Sequence, residues 1–169
     1  MSPTSIHTFL GGARVPYSVI PHRAAPTAQE EAAVTHVTGR AWAKVVVCIA
    51  DGKPIQAVLP APLVVNLERL QAVADVESIR FAREDELWTM FLDCEPGAAP
   101  PLGPLYGQRV FVDVALAARP EIVFNAGTHS DAIRMQYADF AAAVRPVVGR
   151  FAEPRPQEPA VDVRHVLHW

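Results

Sequence analysis

Residues 41–50, Ala-Trp-Ala-Lys-Val-Val-Val-Cys-Ile-Ala, constrain this chain more than any other stretch. Apolar side chains occupy both parities except at Lys44. Successive strand residues point to opposite faces, so such a run predicts a strand covered on both sides. The Asp51-Gly52 pair that follows favours a tight hairpin turn, which brings a second strand over 55–59 back alongside the first.

The remaining chain supplies the covering layers. Ile6, Phe9 and Leu10 fall at helical spacing and end on Gly11-Gly12, predicting a helix over 2–12. Residues 17–21 read as a strand. Thr27 with Glu30 three positions on has capping-box spacing and starts a helix that runs to Gly39, with His36 inside it. Asn66 caps a helix through about Val73, 78–81 reads as a strand, and 84–91 as a helix with Leu87, Trp88 and Phe91 on its apolar face. Strands follow at 110–114, 121–124 and 133–135, then a helix over 137–145 stopped by Pro146.

Helices and strands alternate irregularly around a hairpin. The fold class expected is therefore α+β (mixed α/β), one domain with a mixed sheet flanked by helices, and not a doubly wound parallel sheet. The domain is drawn over residues 1–150, with 151–169 as a Pro-rich C-terminal tail, semi-extended over 153–159. At 169 residues there is room for one such unit.

Charge and motifs exclude several classes. A formal charge of −3 argues against a broad duplex-binding surface, so no DNA partner is expected. Two cysteines, Cys48 and Cys94, cannot make a structural zinc set. Cys94 sits between Asp93 and Glu95, whose charges raise a thiol pKa, so it reads as structural. There is no His-Glu-x-x-His, Walker loop or Gly-x-Gly-x-x-Gly, so neither a metal nor a cofactor is expected. No apolar run approaches the roughly 18 residues of a membrane span, and no export signal opens the chain. The expected setting is cytoplasmic, away from membranes.

Three groups can carry chemistry. Lys44 interrupts an apolar strand; either its stem lies on apolar surface with the ammonium in water, or the cation is aimed into a cleft, holding a phosphate or polarising a carbonyl. Residues 95–107 hold Pro96, Pro100, Pro101 and Pro104 with Gly97, Gly103 and Gly107, which makes them neither helix nor ladder strand. Such a loop is either a rigid connector or a set of fixed N–H groups for a carbonyl or carboxylate. The third group is Asn125-Ala-Gly127-Thr128-His129-Ser130-Asp131, a polar knot after an apolar strand. Its neighbouring Ser, His and Asp do not make a triad, and no Gly-x-Ser-x-Gly elbow exists, which leaves His129 as a substrate contact.

Taken in order, Tyr17 and His22, Thr27-Ala-Gln-Glu30, Lys44 in its Val-rich strand, Gly97-x-x-x-Pro101-x-Gly103 and Asn125-Ala-Gly-Thr-His129 resemble the YbaK family. These are aminoacyl-tRNA deacylases related to the editing insertion of bacterial prolyl-tRNA synthetases. The resemblance spans roughly 17–149, and 93–107 looks like a free-standing branch. It implies a compact domain with a curved mixed sheet and a small pocket that hydrolyses the ester between a wrong amino acid and tRNA. The function so implied is that of a trans-editing hydrolase on tRNA for proline carrying Ala, Ser, Thr, Cys or 2-aminobutyrate. The alternative is a non-catalytic module that binds aminoacyl-tRNA, an amino acid or a synthetase. Implied partners are the acceptor end of aminoacyl-tRNA and, transiently, a synthetase.

By the same resemblance Lys44 meets the substrate's backbone or terminal phosphate. The amides of Gly97 and Ala98 orient the reacting carbonyl as catalytic groups. His22, Thr27, Pro100, Pro101, Leu102, Gly103, Asn125, Gly127, Thr128 and His129 surround the substrate. Leu102 stands where the family often has Phe, which bears on pocket size.

Overall fold

The structure is a computed structural model and describes residues 4–25 and 27–157. The Val-rich run forms β2 (Ala43–Ala50), and the turn through Asp51 and Gly52, both at positive φ, returns it as β3 (Lys53–Pro60) in a continuous antiparallel ladder. β5 (Ile79–Phe81) pairs antiparallel with the far end of β2, only over Cys48–Ala50. On the other side β3 pairs in parallel with β6 (Arg109–Asp113), and β6 in parallel with β9 (Val147–Gly149). This five-stranded mixed sheet, β5-β2-β3-β6-β9, is the centre of the molecule.

A second, antiparallel sheet contains β1 (Ser18–Pro21), β8 (Asp131–Gln136) and β7 (Glu121–Thr128) in the order β1-β8-β7. The two sheets meet where Trp42 bridges Val123 in parallel. Strand alternation then divides the packing. Ala43, Val58, Val110 and Val112 face a core with α1 (Thr4–Gly12), α5 (Val114–Ala117) and α6 (Tyr137–Val144), through Ile6, Leu10, Leu116 and Phe140. Cys48, Ala57, Leu59 and Phe111 face the other way, against α3 (Leu67–Ala74) and Phe151. Asn66 caps α3 as expected, its side chain accepting from Arg69 N–H.

Several boundaries move. α2 (Ala28–Val34) stops well before Gly39, because Thr35 turns its hydroxyl back onto the Glu31 and Ala32 carbonyls and His36 adopts a left-handed conformation outside the helix. β7 runs on to Thr128, so Asn125 and Gly127 are strand residues and not part of a loop. The 95–107 segment contains one 3-10 turn, Gly103–Tyr106, begun by Pro104. The unit also passes its expected end at 150. Phe151 is fully buried, and β10 (Ala152–Pro154) pairs with β4 (Leu63–Val65), a short strand that the prolines at 60 and 62 concealed. Residues 158–159 of the expected extended tail lie outside the described residues.

One feature of this architecture positions the site. Since β5 covers only Cys48–Ala50, the edge of β2 over 44–46 has no strand alongside it among the described residues. The start of α2, the end of β7 and the 95–99 segment gather around that open edge.

Candidate functional site

α2 packs with Ala28 and Ala32 against Trp42, Ala61 and Val123, and helical spacing carries Glu31 inward beside them. Glu31 is fully buried, so its carboxylate requires partners. Asn125 Nδ2 donates to one oxygen at 2.9 Å, and His129 Nδ1 lies 2.7 Å from the other. The second ring nitrogen of His129, Nε2, is 2.6 Å from the Pro96 carbonyl oxygen. A carbonyl only accepts, so Nε2 carries a hydrogen and the pair shares one proton across the Nδ1 contact. Burial raises the Glu31 pKa above the usual carboxylate value, against the opposing pull of His129 and Asn125. For His129, burial disfavours the charge, but the Pro96 carbonyl and Glu31 outweigh it and the pKa lies above the ordinary histidine value.

Pro96 belongs to a turn built for this contact. Glu95 C=O accepts from Ala98 N–H at 3.0 Å, Pro96 presets the first central position, and Gly97 takes the second at φ +78. This is the residue order that a type II turn demands. The turn is sewn to β7 at a bulge, where Gly127 at φ +87 accepts from Glu95 N–H at 2.8 Å and donates to Ala98 C=O at 3.0 Å. His129 N–H adds a bond to Glu95 Oε2 at 3.0 Å. The Pro96–Gly97 peptide is trans and planar, so holding its C=O against His129 sends the Gly97 N–H the opposite way. Among the described residues nothing accepts from that N–H or from that of Ala99.

Two cavities lie on opposite faces of β2. One, of about 270 Å³, is walled by Val45, Val47, Leu87, Trp88 and Phe91 and edged by Gly97, Ala99, Glu84 and Glu95. Trp88 is 57% exposed, so the apolar face expected for α4 (Glu84–Met90) lines an opening instead of closing a core. The other, of about 410 Å³, is lined by Thr27, Ala28, Gln29, Lys44, Ala61 and Arg155. Lys44 is half-buried, and burial first, then the charge of Arg155, hold its pKa below the usual lysine value.

The expected site residues therefore separate. Gly97 reaches the first cavity; Lys44 and Thr27 reach the second, on the other face. Thr27 caps α2, accepting from Glu30 N–H while its hydroxyl donates to Glu30 Oε2. Ala98 spends its N–H inside the turn and buries its methyl. Pro100, Pro101, Leu102 and Gly103 are buried and line neither cavity; Gln56 Nε2 holds the Pro100 carbonyl at 3.4 Å, and Leu102 is in the core. Asn125, Gly127 and His129 join in the network around the turn, whereas Thr128 bonds locally to Asp131 at 2.9 Å. His22 Nδ1 donates to the Arg23 carbonyl, 2.7 Å away, and the ring sits edge-on to Trp42. Burial pushes Cys94 up to about 11, leaving no reactive thiolate beside the cavity.

Sequence reasoning missed Glu31. The adjacent Glu30 explained the capping box, and the carboxylate between Ala28 and Ala32 drew no notice although those alanines mark the inner helix face. No group of three or more metal-ligating side chains is assembled among the described residues.

The family model described as the aminoacyl-tRNA editing domain matches residues 22–143. No curated protein matches the chain at a significant level. Among solved structures, the hypothetical protein APE2540 superposes with a TM-score of 0.79 at 17% identity, over 88% of this chain and 99% of that one. A protein proposed as a trans-editing enzyme for prolyl tRNA synthetase gives 0.77 at 18% identity, over 90% and 99%. At these identities the structures share the fold.

Proposed function

The chain belongs to the aminoacyl-tRNA editing domain family, of the YbaK type, and from that premise we propose that it is a free-standing deacylase that hydrolyses the ester of mischarged aminoacyl-tRNA. The observation that carries this reading is the pinned turn. A free Gly97 N–H, its direction set by His129 and Glu31, stands at the edge of a small apolar cavity.

An aminoacyl ester is already activated, because its ammonium withdraws electrons from the carbonyl. What a protein adds is orientation and a donor for the developing oxyanion, each a large contribution. The Gly97 and Ala99 amides supply such donors with no reorganisation cost. Glu84 and Glu95 at the rim suit the ammonium, and the apolar walls suit a small side chain. His129 has both ring nitrogens engaged, so it positions the turn and does not take the proton of water. Water is positioned with the help of the adjacent ribose hydroxyl. Lys44, on the other face, meets the phosphate side of the same substrate.

We place the preferred substrate among proline tRNAs carrying Ala, Ser, Thr, Cys or 2-aminobutyrate, whose small side chains suit the apolar walls of Val45, Val47, Leu87 and Phe91. Pocket discrimination of one methylene is worth only about 1–3 kcal/mol, so related amino acids are released at graded rates. Amino-acid release from a panel of these tRNAs, with correctly charged tRNA as control, tests the reading. Release of at least one mischarged residue above the uncatalysed rate is expected. No release from any of them overturns it, and tRNA binding without release identifies a binding module instead.

A further inference from the structure

The cavity that holds Lys44 contains a second cation that lies outside the family-matched segment. Arg155 directly follows β10, whose pairing with β4 and whose buried neighbour Phe151 fix where it emerges. It lines the cavity together with Lys44, Gln29, Thr27, Ala28 and Ala61.

Nothing described neutralises this pair. Neither cation has a carboxylate partner among the described residues. Two acids beside the cavity residues are engaged by other groups: Glu30, next to Gln29, accepts at Oε2 from the Thr27 hydroxyl, and Glu153, two positions before Arg155, accepts at Oε2 from Asn66 Nδ2 at 3.0 Å. Two like charges facing each other beside apolar surface oppose folding unless an anion fills the gap between them. That repulsion contributes, after burial, to the lowered pKa of Lys44. Lys44, Arg155 and Gln29, all with side-chain donors, line one cavity, and a guanidinium fork matches phosphate geometry. The opposite face of β2 has the reverse character, with Glu84 and Glu95 at the rim of the first cavity.

We propose that Arg155, from outside the family-matched segment, joins Lys44 as a second phosphodiester-binding cation for the single-stranded 3′ end of the RNA, across β2 from the Gly97 turn. The proposal rests on the editing reading and deepens it. A strand crossing the open 44–46 edge places its phosphate on the basic side and its aminoacyl ammonium on the acidic side, so the charge division fixes the direction in which the substrate enters. It also explains how a chain with a net charge of −3 holds a polyanion's tip: the attraction is local.

The test uses Arg155→Ala and Arg155→Lys in the full chain, with Arg155 exposed and beyond the last strand, so that folding is preserved. A fluorescent, uncharged oligonucleotide ending in CCA is titrated at several salt concentrations. Arg155→Ala should weaken binding about tenfold and lower the slope of log affinity against log salt by about 0.7, one phosphate's worth on single strands. Arg155→Lys should recover most of both. In deacylation, Arg155→Ala should lose more kcat/KM on charged tRNA than on aminoacyl-adenosine, which has no phosphate. Active wild type with identical oligonucleotide affinity and salt slope in Arg155→Ala overturns the subsite and leaves editing standing. Oligonucleotide binding that depends on Arg155, with no deacylation by wild type, supports the subsite and removes the editing reading. Displacement of the oligonucleotide by micromolar inorganic phosphate overturns the proposal in favour of a free-anion site.

Discussion

Glu31 Oε1 lies 2.7 Å from His129 Nδ1, joining a buried helix carboxylate to the imidazole that fixes the Pro96 carbonyl. Each member is meaningful only through the next. A carboxylate with no solvent exposure holds a histidine, the histidine holds one carbonyl, and the planar peptide converts that into the direction of the Gly97 N–H. An editing site that works through a backbone donor needs such support, because a Pro-Gly peptide otherwise rotates between turn types.

Replacing Glu31 should therefore impair catalysis more than substrate binding. Glu31→Ala leaves Asn125 Nδ2 and His129 Nδ1 without their acceptor and should cost about 1–3 kcal/mol in urea unfolding. Glu31→Gln keeps an acceptor for Asn125 but removes the charge, so the His129 titration followed by NMR should move down. In both variants kcat should fall more than KM rises, the pattern of a lost transition-state contact. An unchanged kcat with normal stability would remove the latch from the mechanism.

The latch also makes a signed prediction about pH. His129 has a folded pKa above its ordinary value of 6.5, so its stabilisation is complete below 6.5 and is lost as pH rises through the folded pKa. The raised pKa of Glu31 acts in the same direction, starting from 4.5. Urea midpoints of the wild type relative to His129→Gln should thus fall as pH is raised above 6.5. A difference that grows with pH over that window would contradict the assignment.

What could be read from residues alone follows a physical division. The double-sided strand at 43–50, its Asp-Gly hairpin and the Asn66 cap were legible because their causes are local. α2 was drawn too long because its end depends on Thr35 bonding backward and His36 turning left-handed, which the apolar spacing does not encode. Lys44 and the Gly97 loop both stand out in the sequence, yet strand parity puts them on opposite faces, and parity matters only once the sheet register is known. Glu31 could not be paired with His129 from sequence, since 98 positions separate them.

Two glycines of one loop should respond oppositely. At Gly97 a Cβ would meet only the His129 ring, Cε1 at 3.6 Å and Nε2 at 3.7 Å, both ordinary contacts, but φ is +78, so Gly97→Ala strains the turn by about 1 kcal/mol and disturbs the amide. Its unfolding midpoint should change little while turnover falls at least tenfold. At Gly103 a Cβ would clash with the Gln108 carbonyl and Val110 Cγ2, in backbone and core. Gly103→Ala should instead lose about 1–3 kcal/mol of stability. Equal effects on both properties would mean that the loop acts only as a connector.

Ending the chain at residue 150 should prevent stable folding, although composition suggests a tail beginning there. Phe151 is fully buried against Leu70 and Phe111, and losing such an aromatic costs about 3–5 kcal/mol. Asp113 compounds the loss. Its Oδ1 accepts from the Phe151 and Ala152 N–H groups at 2.9 and 2.8 Å, while Oδ2 caps α5 through Ala115 N–H. Truncation strands that carboxylate oxygen in the interior, and small domains have only about 5–15 kcal/mol to lose. A chain of residues 1–157, which keeps β10, should unfold near the full-length midpoint by circular dichroism, whereas 1–150 should unfold far below it. Equal midpoints for the two would show that Phe151 and its strand rest on an already complete domain.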